Sequence, residues 1–330
     1  QSDFSWTLDN LIYYDKEFGK HSVGLTLLQS ATGYHYEESS MAAEGIPLES
    51  AKWNALSKEN VSLLDEWNSG LIEKQLLSYM FRVNYDYNNK YLLTVSGRWD
   101  GASQLAEGNK WAFFPSAALG WRLDQEEFLK DVTWLNQLKF RLGVGVTGNS
   151  AIDPYQTKGA IVSLYYPFGS ALAPGYAASE PLIKDGAVAM ANKNLSWEKT
   201  TQYNIGLDYS VLNGRISGVL DFYTSRTTDL LMAMTIPSLN GYTNTYANVG
   251  KTSNIGVDIT LNTVNVKTRD FEWSTSINAA WQKDKIDELA NGKEDDINNN
   301  WFIGQALGVI YGYECGGLWK EEDAAEMAKF

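Results

Sequence analysis

The stretch Leu77-Ser78-Tyr79-Met80-Phe81-Arg82-Val83-Asn84-Tyr85-Asp86-Tyr87, closed by Asn88-Asn89 and reopened by Lys90-Tyr91-Leu92-Leu93-Thr94-Val95-Ser96, decides the fold. Its odd-numbered positions are Leu, Tyr, Phe, Val, Tyr and Tyr; its even-numbered ones are Ser, Met, Arg, Asn and Asp. Side chains alternate across a strand, so this spacing predicts a β-strand with one apolar and one polar face. Asparagine tolerates the positive φ of a tight turn. Beyond the Asn pair the alternation resumes, with Tyr91, Leu93, Val95 and Trp99 set against Lys90, Thr94, Ser96, Arg98 and Asp100.

The pattern repeats in both directions along the chain. Phe113, Ala117, Leu119 and Trp121 oppose Ser116, Gly120 and Arg122; Leu138, Phe140, Leu142, Val144 and Val146 oppose Lys139, Arg141, Gly143, Gly145 and Thr147. Tyr203, Ile205, Leu207 and Tyr209, then Ile255, Val257, Ile259 and Leu261, then Phe271, Trp273, Ile277 and Trp281 continue it. With weaker cases at Phe4–Leu8, Val23–Leu27 and Ile216–Phe222 the sequence holds about ten strands, each near the ~9–11 residues that cross a bilayer at a tilt. Tight turns are expected at 87–90, at Leu212-Asn213-Gly214-Arg215 and at 267–270, with long connections at roughly 31–75, 148–200 and 226–253. Short and long connections in alternation are those of an up-and-down barrel with brief inner turns and large outer loops. The connections at 101–112 and 124–137 depart from that rule.

A soluble β-sandwich would show the same alternation viewed from the other side. Two features favour a transmembrane antiparallel up-and-down β-barrel. Aromatics gather near both strand ends (Tyr79, Tyr87, Tyr91, Trp99, Trp121, Tyr203, Tyr209, Trp273, Trp281), as interfacial girdles do, in a chain with 12 Trp and 19 Tyr. Loops tens of residues long recur on one side only, which compact soluble domains rarely allow.

Composition narrows the function. A net charge of −13 does not suit a nucleic-acid partner. The single Cys315 rules out an internal disulfide and cysteine-cluster metal sites. His21 and His35 sit in no metal-spaced pair and near no nucleophile motif, so neither enzyme, cofactor nor metal is expected. Glu294-Asp295-Asp296 lacks the glycine and terminal Glu of a calcium loop and is expected to be a solvated acidic segment. Gly145-Val146-Thr147-Gly148-Asn149 precedes no helix, so its glycines are expected to relieve crowding on the lumen face rather than bind phosphate. Trp197 stands at a strand entrance and is expected in a girdle. The candidate ligand contacts are aromatics in the long outer loops, namely Trp53, Trp67, Tyr165, Tyr166, Phe168 and Tyr176, whose flat rings can stack on a sugar or grip an apolar side chain. Gln1-Ser2-Asp3-Phe4 has no basic start or apolar core of an export signal, and Lys320-Glu321-Glu322-Asp323 is no amphipathic closing strand, so both ends are expected to be cuts in a longer protein.

Several runs are similar, in order, to the SusC/RagA family of TonB-linked importers. They include Phe81-Arg82-Val83-Asn84-Tyr85-Asp86-Tyr87, Arg98-Trp99-Asp100-Gly101, Phe114-Pro115-Ser116 with Gly120-Trp121, and Asn194-Leu195-Ser196-Trp197-Glu198. Thr228-Asp229-Leu230-Leu231 and Asn248-Val249-Gly250 complete them. The stretch Ala102-Ser103-Gln104-Leu105 departs from the family's wording, and the long loops match nothing in it. The resemblance implies about ten strands of a larger, plugged barrel of about 22 strands in a bacterial outer membrane. Residues 1–330 would be part of one barrel domain, with plug and closing strands outside it. It implies import of oligosaccharides or peptides, a SusD-like surface lipoprotein as lid, and energy from the TonB complex through a segment absent here. A siderophore- or cobalamin-type receptor is the second expectation within the membrane class.

Overall fold

The computed structural model describes residues 1–44, 62–158, 161–168, 171–178, 183–184, 187–237, 242 and 244–312. In chain order the strands are β1 (Ser2–Phe18), β2 (His21–Glu44), β3 (Ser62–Tyr87), β4 (Tyr91–Ala102), β5 (Trp111–Arg122), β6 (Leu135–Asn149), β7 (Ile161–Phe168), β8 (Ala171–Ala178), β9 (Ile183–Lys184), β10 (Ala187–Met190), β11 (Glu198–Val211), β12 (Ile216–Thr228), β13 (Leu231–Thr235), β14 (Asn244–Asn248), β15 (Lys251–Lys267) and β16 (Glu272–Glu288). Ten of them form one sheet in the order β1-β2-β3-β4-β5-β6-β11-β12-β15-β16, each antiparallel to its neighbour. The others make two small sheets within the long connections, β7-β8 and β13-β14-β10-β9.

Register turns the one-dimensional alternation into two faces. Tyr85, Leu93, Leu119, Leu142, Ile205, Phe222, Val257 and Trp281 are consecutive cross-strand partners, an apolar row running over eight strands. One residue along, Asn84, Thr94, Ala118, Gly143, Asn204, Tyr223, Gly256 and Gln282 form the matching row on the other face. Among the described residues no second layer covers the apolar face: Tyr79, Leu119 and Ile259 are 49%, 54% and 40% exposed. A sandwich would bury these side chains. Leaving such a continuous apolar face in water would cost about 25 cal/mol per Å², and soluble monomers rarely expose patches above a few hundred Å². The face therefore meets hydrocarbon.

All the short turns lie at one end. Asn88 and Asn89 take φ of 56° and 53°, the left-handed pair that the sequence predicts. The Asn-Gly turn is longer than the two-residue cue: Val211–Ile216 is the last pair, leaving Leu212, Asn213 and Gly214 all at positive φ. That strain is held by bonds from outside the hairpin, Leu212 N–H to the Trp134 carbonyl at 2.7 Å and Gly214 N–H to Asn136 Oδ1 at 3.1 Å. At the other end the strands outgrow the bilayer. β2 has 24 residues and β3 26, well beyond the sequence-derived boundaries at 31 and 75. At ~3.3 Å per residue they are about 80 Å long, several times the ~25 Å apolar band of a barrel wall.

Candidate solute path: polar wall and outer rim

The polar face carries a ladder of side-chain bonds: Asn84 with Thr94 at 2.9 Å, Ser96 with Ser116 at 2.6 Å, and Thr260 with Asn278 at 3.0 Å. Its charged centre is Arg141 on β6. The guanidinium donates from Nε to Asp208 Oδ1 at 2.9 Å and from Nη2 to Asp221 Oδ1 at 3.0 Å. Arg141, Gly206 and Asp221 are in register across β6, β11 and β12. A Cβ at Gly206 would lie 2.6 Å from Arg141 Cζ, so the bare glycine lets the side chain cross the intervening strand. A planar fork with its charge permanently on suits two carboxylates at once. Higher up, Arg98 donates to Asp100 at 2.7 Å and to Ser78 Oγ at 2.8 Å. This face is polar, partly solvated and internally paired, as a lumen wall requires.

At the long-loop end β5 and β6 part company: their pairing runs only from Ser116–Gly145 to Arg122–Lys139. A small core fills the gap, built from Ala102, Leu105, Phe114 and Trp197. Phe114 meets the Trp197 ring edge-on at 5.3 Å and covers Gly148, where a Cβ would clash at 2.1 Å. A Cβ at Gly145 would meet only Ser116 at 3.4 Å, so crowding is relieved at Gly148 rather than at Gly145. Trp197 is 5% exposed and donates from Nε1 to the Lys110 carbonyl at 2.8 Å. It is a core residue, not a girdle aromatic, because the 103–110 connection folds back against it. The adjoining Ser196 N–H donates to Asn248 Oδ1 at 2.7 Å, while Asn248 Nδ2 donates to the Ser196 carbonyl at 2.8 Å and the Asp229 carbonyl at 3.0 Å. Three of the runs that carry the family resemblance, at 194–198, 228–231 and 248–250, thus meet in one knot at the rim.

At the short-turn end the unusually long connection after β5 begins with a 3-10 turn at Leu123–Gln125. Glu126 then accepts from the Tyr91 hydroxyl at 2.7 Å, Trp121 Nε1 at 2.9 Å and Lys90 Nζ at 3.0 Å. These three donors, the tyrosine first, hold its carboxyl down at about 2. The clasp ties the connection to the polar tips of the lower aromatic girdle.

Of the candidate ligand aromatics, Trp53 lies outside the described residues. Trp67 belongs to the extended upper part of β3, paired with Met41, rather than to a loop. Tyr165, Tyr166 and Phe168 are on β7 and Tyr176 on β8, a hairpin separate from the wall in which Tyr165 pairs with Pro174 and Tyr176 with Ser163. Four of the six are thereby brought onto one loop hairpin. His21 Nδ1 lies 2.7 Å from the Tyr85 hydroxyl and His35 Nδ1 3.0 Å from Glu73, so the two imidazoles serve separate contacts. Asp295 and Asp296 accept the backbone N–H groups of Ile303 and Asn299 in their own loop. Sequence reasoning missed the Arg141 bridge, whose only sequence signal is a charged residue opposite a glycine two strands into an alternating pattern.

An apolar belt facing outward, a polar inner wall and loops gathered at one end define part of a membrane-spanning β-barrel. The chain belongs to the TonB-dependent receptor-like β-barrel family, which it matches over residues 1–317, and it is an outer-membrane protein. It is 32% identical over 326 residues to TonB-dependent receptor P3 of Formosa agariphila, a match covering 94% of this chain and 31% of that one. It is 38% identical over 255 residues to TonB-dependent receptor SusC of Bacteroides thetaiotaomicron, covering 74% of this chain and 24% of SusC. Among solved structures, the RagAB peptide transporter superposes with a TM-score of 0.76 at 26% identity over 92% of this chain and 33% of its own. The chain spans about a third or less of the length of the relatives it matches.

Proposed function

We propose that this chain forms ten strands of the wall of a TonB-dependent importer that carries oligosaccharides or peptides across the outer membrane. A SusD-like surface lipoprotein would close over the rim, and the TonB complex would supply energy through other parts of the protein, the plug among them. The observation that carries this reading is the two-faced sheet, apolar toward lipid and polar with paired charges toward a lumen, in a chain that aligns with SusC and RagAB. The same likeness favours this class of importer over the siderophore type. Catalysis has no role in it: the wall guides a solute and the loop aromatics capture it.

The test uses the full-length protein in outer membranes. It should stay with the membrane through salt and alkali, migrate differently on gels before and after boiling, and support solute uptake only when TonB is present. Release by alkali, or uptake unaffected by loss of TonB, would overturn the proposal. Within it, Tyr165→Ala and Trp53→Ala should weaken solute capture while assembly is retained. Unchanged uptake by both variants would remove these aromatics from the path.

A further inference from the structure

A cleft of about 880 Å³ opens at the outer rim between the upper edge of β3, the 103–110 connection and the segment after β6. That size lies within the ~300–1,000 Å³ of small-ligand sites. Lys74, Lys110, Lys158 and Lys193 line it, against only Glu73 and Glu107. None of the four lysines has an ion-pair partner among the described residues, although carboxylates elsewhere pair with Lys90, Lys130, Lys251, Lys267 and Lys285. Lys74 rests its ammonium 4.8 Å above the Tyr34 ring, and Glu73 is engaged by His35 at 3.0 Å. In a chain of net charge −13 this cleft is a cationic exception. A surplus of one sign of charge in a concave site focuses potential and raises the local concentration of the opposite charge.

The cleft is prebuilt. Tyr155, at φ 73°, places its hydroxyl to accept the Glu73 N–H at 3.1 Å, which docks the 154–158 turn on the free edge of β3. Ala106 N–H bonds the Leu195 carbonyl at 3.1 Å, and Asn109 Nδ2 bonds the Asn194 carbonyl at 3.0 Å, so the walls are tied together. Lys74 shares the alternation of Ser78, Arg82 and Asn84, which places it with the polar wall rather than the lipid face. A solute at the barrel mouth can reach it, whereas a lipid headgroup of the outer leaflet lies on the opposite side of the sheet. The lining is mostly hydroxyl, amide and ammonium groups, with Leu105 and Ala106 both buried at 1% exposure. Those polar groups suit a chain of hydroxyls and acidic groups.

We propose that this cleft is a capture site for an anionic oligosaccharide, one bearing carboxylate or sulfate groups along its length. The proposal rests on the importer reading and names the class of solute. Its test is binding of tetragalacturonate to the purified full-length protein, with maltotetraose as the neutral counterpart and tetraglutamate as the acidic peptide. Tetragalacturonate should bind at least about tenfold more tightly than either, and raising NaCl from about 50 to 300 mM should weaken it by a similar factor. Joint substitution Lys74→Gln, Lys110→Gln, Lys158→Gln and Lys193→Gln should abolish the preference. The same number of changes at Lys16, Lys20, Lys130 and Lys267 should leave it. Salt-insensitive binding, equal affinity for maltotetraose, or tighter binding of tetraglutamate would each overturn the assignment, and the salt titration needs no variant to fold. Membrane integrity and TonB-dependent uptake are scored separately, so an importer of neutral solutes loses this proposal and keeps the preceding one.

Discussion

Arg141 and Asp221 stand on strands that do not touch, yet the guanidinium reaches the carboxylate at 3.0 Å by lying across Gly206 of the strand between them. The bridge spans three strands of the lumen wall and resists their sliding past one another. Gly206→Ala should push the far end of Arg141 off its path and break the Asp221 bond, at a modest cost because that side chain can swing away. Arg141→Met leaves Asp208 and Asp221 facing each other unpaired. All three side chains are partly solvated, so the loss should be about 1–3 kcal/mol rather than the larger figure for a fully buried charge. Urea unfolding of the full-length protein in lipid measures both, and adding Asp208→Asn and Asp221→Asn to Arg141→Met should recover part of the loss.

The outer face makes an opposite demand. Leu119→Arg sets a charge into hydrocarbon and should cost about 2–4 kcal/mol near the bilayer midplane, less toward either interface. Ala118→Ser, one residue away on the polar wall, should be tolerated. Equal effects on folding yield at both positions would mean that the two faces have been assigned the wrong way round.

Acid should act through Glu126. Its folded carboxyl titrates at about 2 against an ordinary value of 4.5, so its contribution is complete above pH 4.5 and is lost as pH falls from there toward 2. Glu126→Gln removes that pH dependence and weakens the bonds to Tyr91, Trp121 and Lys90. Unfolding midpoints measured from pH 7 down to pH 3 should therefore fall more steeply for the native protein than for the variant. Parallel curves would show that the clasp contributes nothing.

At the rim, Trp197→Ala should cost about 3–5 kcal/mol locally, as for a large core aromatic. Trp197→Phe should cost less and lose chiefly the bond to the Lys110 carbonyl. The wall strands are paired independently of this knot. The expected readout is faster protease cleavage within 103–110 with heat-modifiable migration unchanged.

The wall was legible because a bilayer imposes different solvents on neighbouring side chains: Tyr79 to Tyr87 and Ile255 to Leu261 announce themselves by alternation alone. Beyond the membrane that signal fades. Thr32-Gly33-Tyr34-His35-Tyr36-Glu37-Glu38 is regular β2, yet both of its faces meet water, so no period-2 pattern survives to mark it. The same loss of contrast hides β7 to β10 inside the long connection after β6. Cross-strand register was illegible for another reason. Arg141 meets Asp221 across 80 positions of chain, and no local spacing encodes that distance. Trp197 misled because strand-end tryptophans are usually interfacial, and only the return of the 103–110 connection buries it. Of the candidate site, the aromatics could be chosen by type, while the lysines at 74, 110, 158 and 193 come together only in three dimensions.

Among the described residues the ten-stranded sheet has two margins, the far sides of β1 and β16, where rows of N–H and C=O groups have no partner strand apart from the bridge between Ile286 and Ile303. Inside a bilayer such groups cost several kcal/mol apiece, and in water they template pairing with other chains. Expressed in isolation, these residues should therefore polymerise or precipitate rather than insert. Biochemistry on the lysine cleft or the Arg141 bridge calls for a vessel with its seam sewn shut.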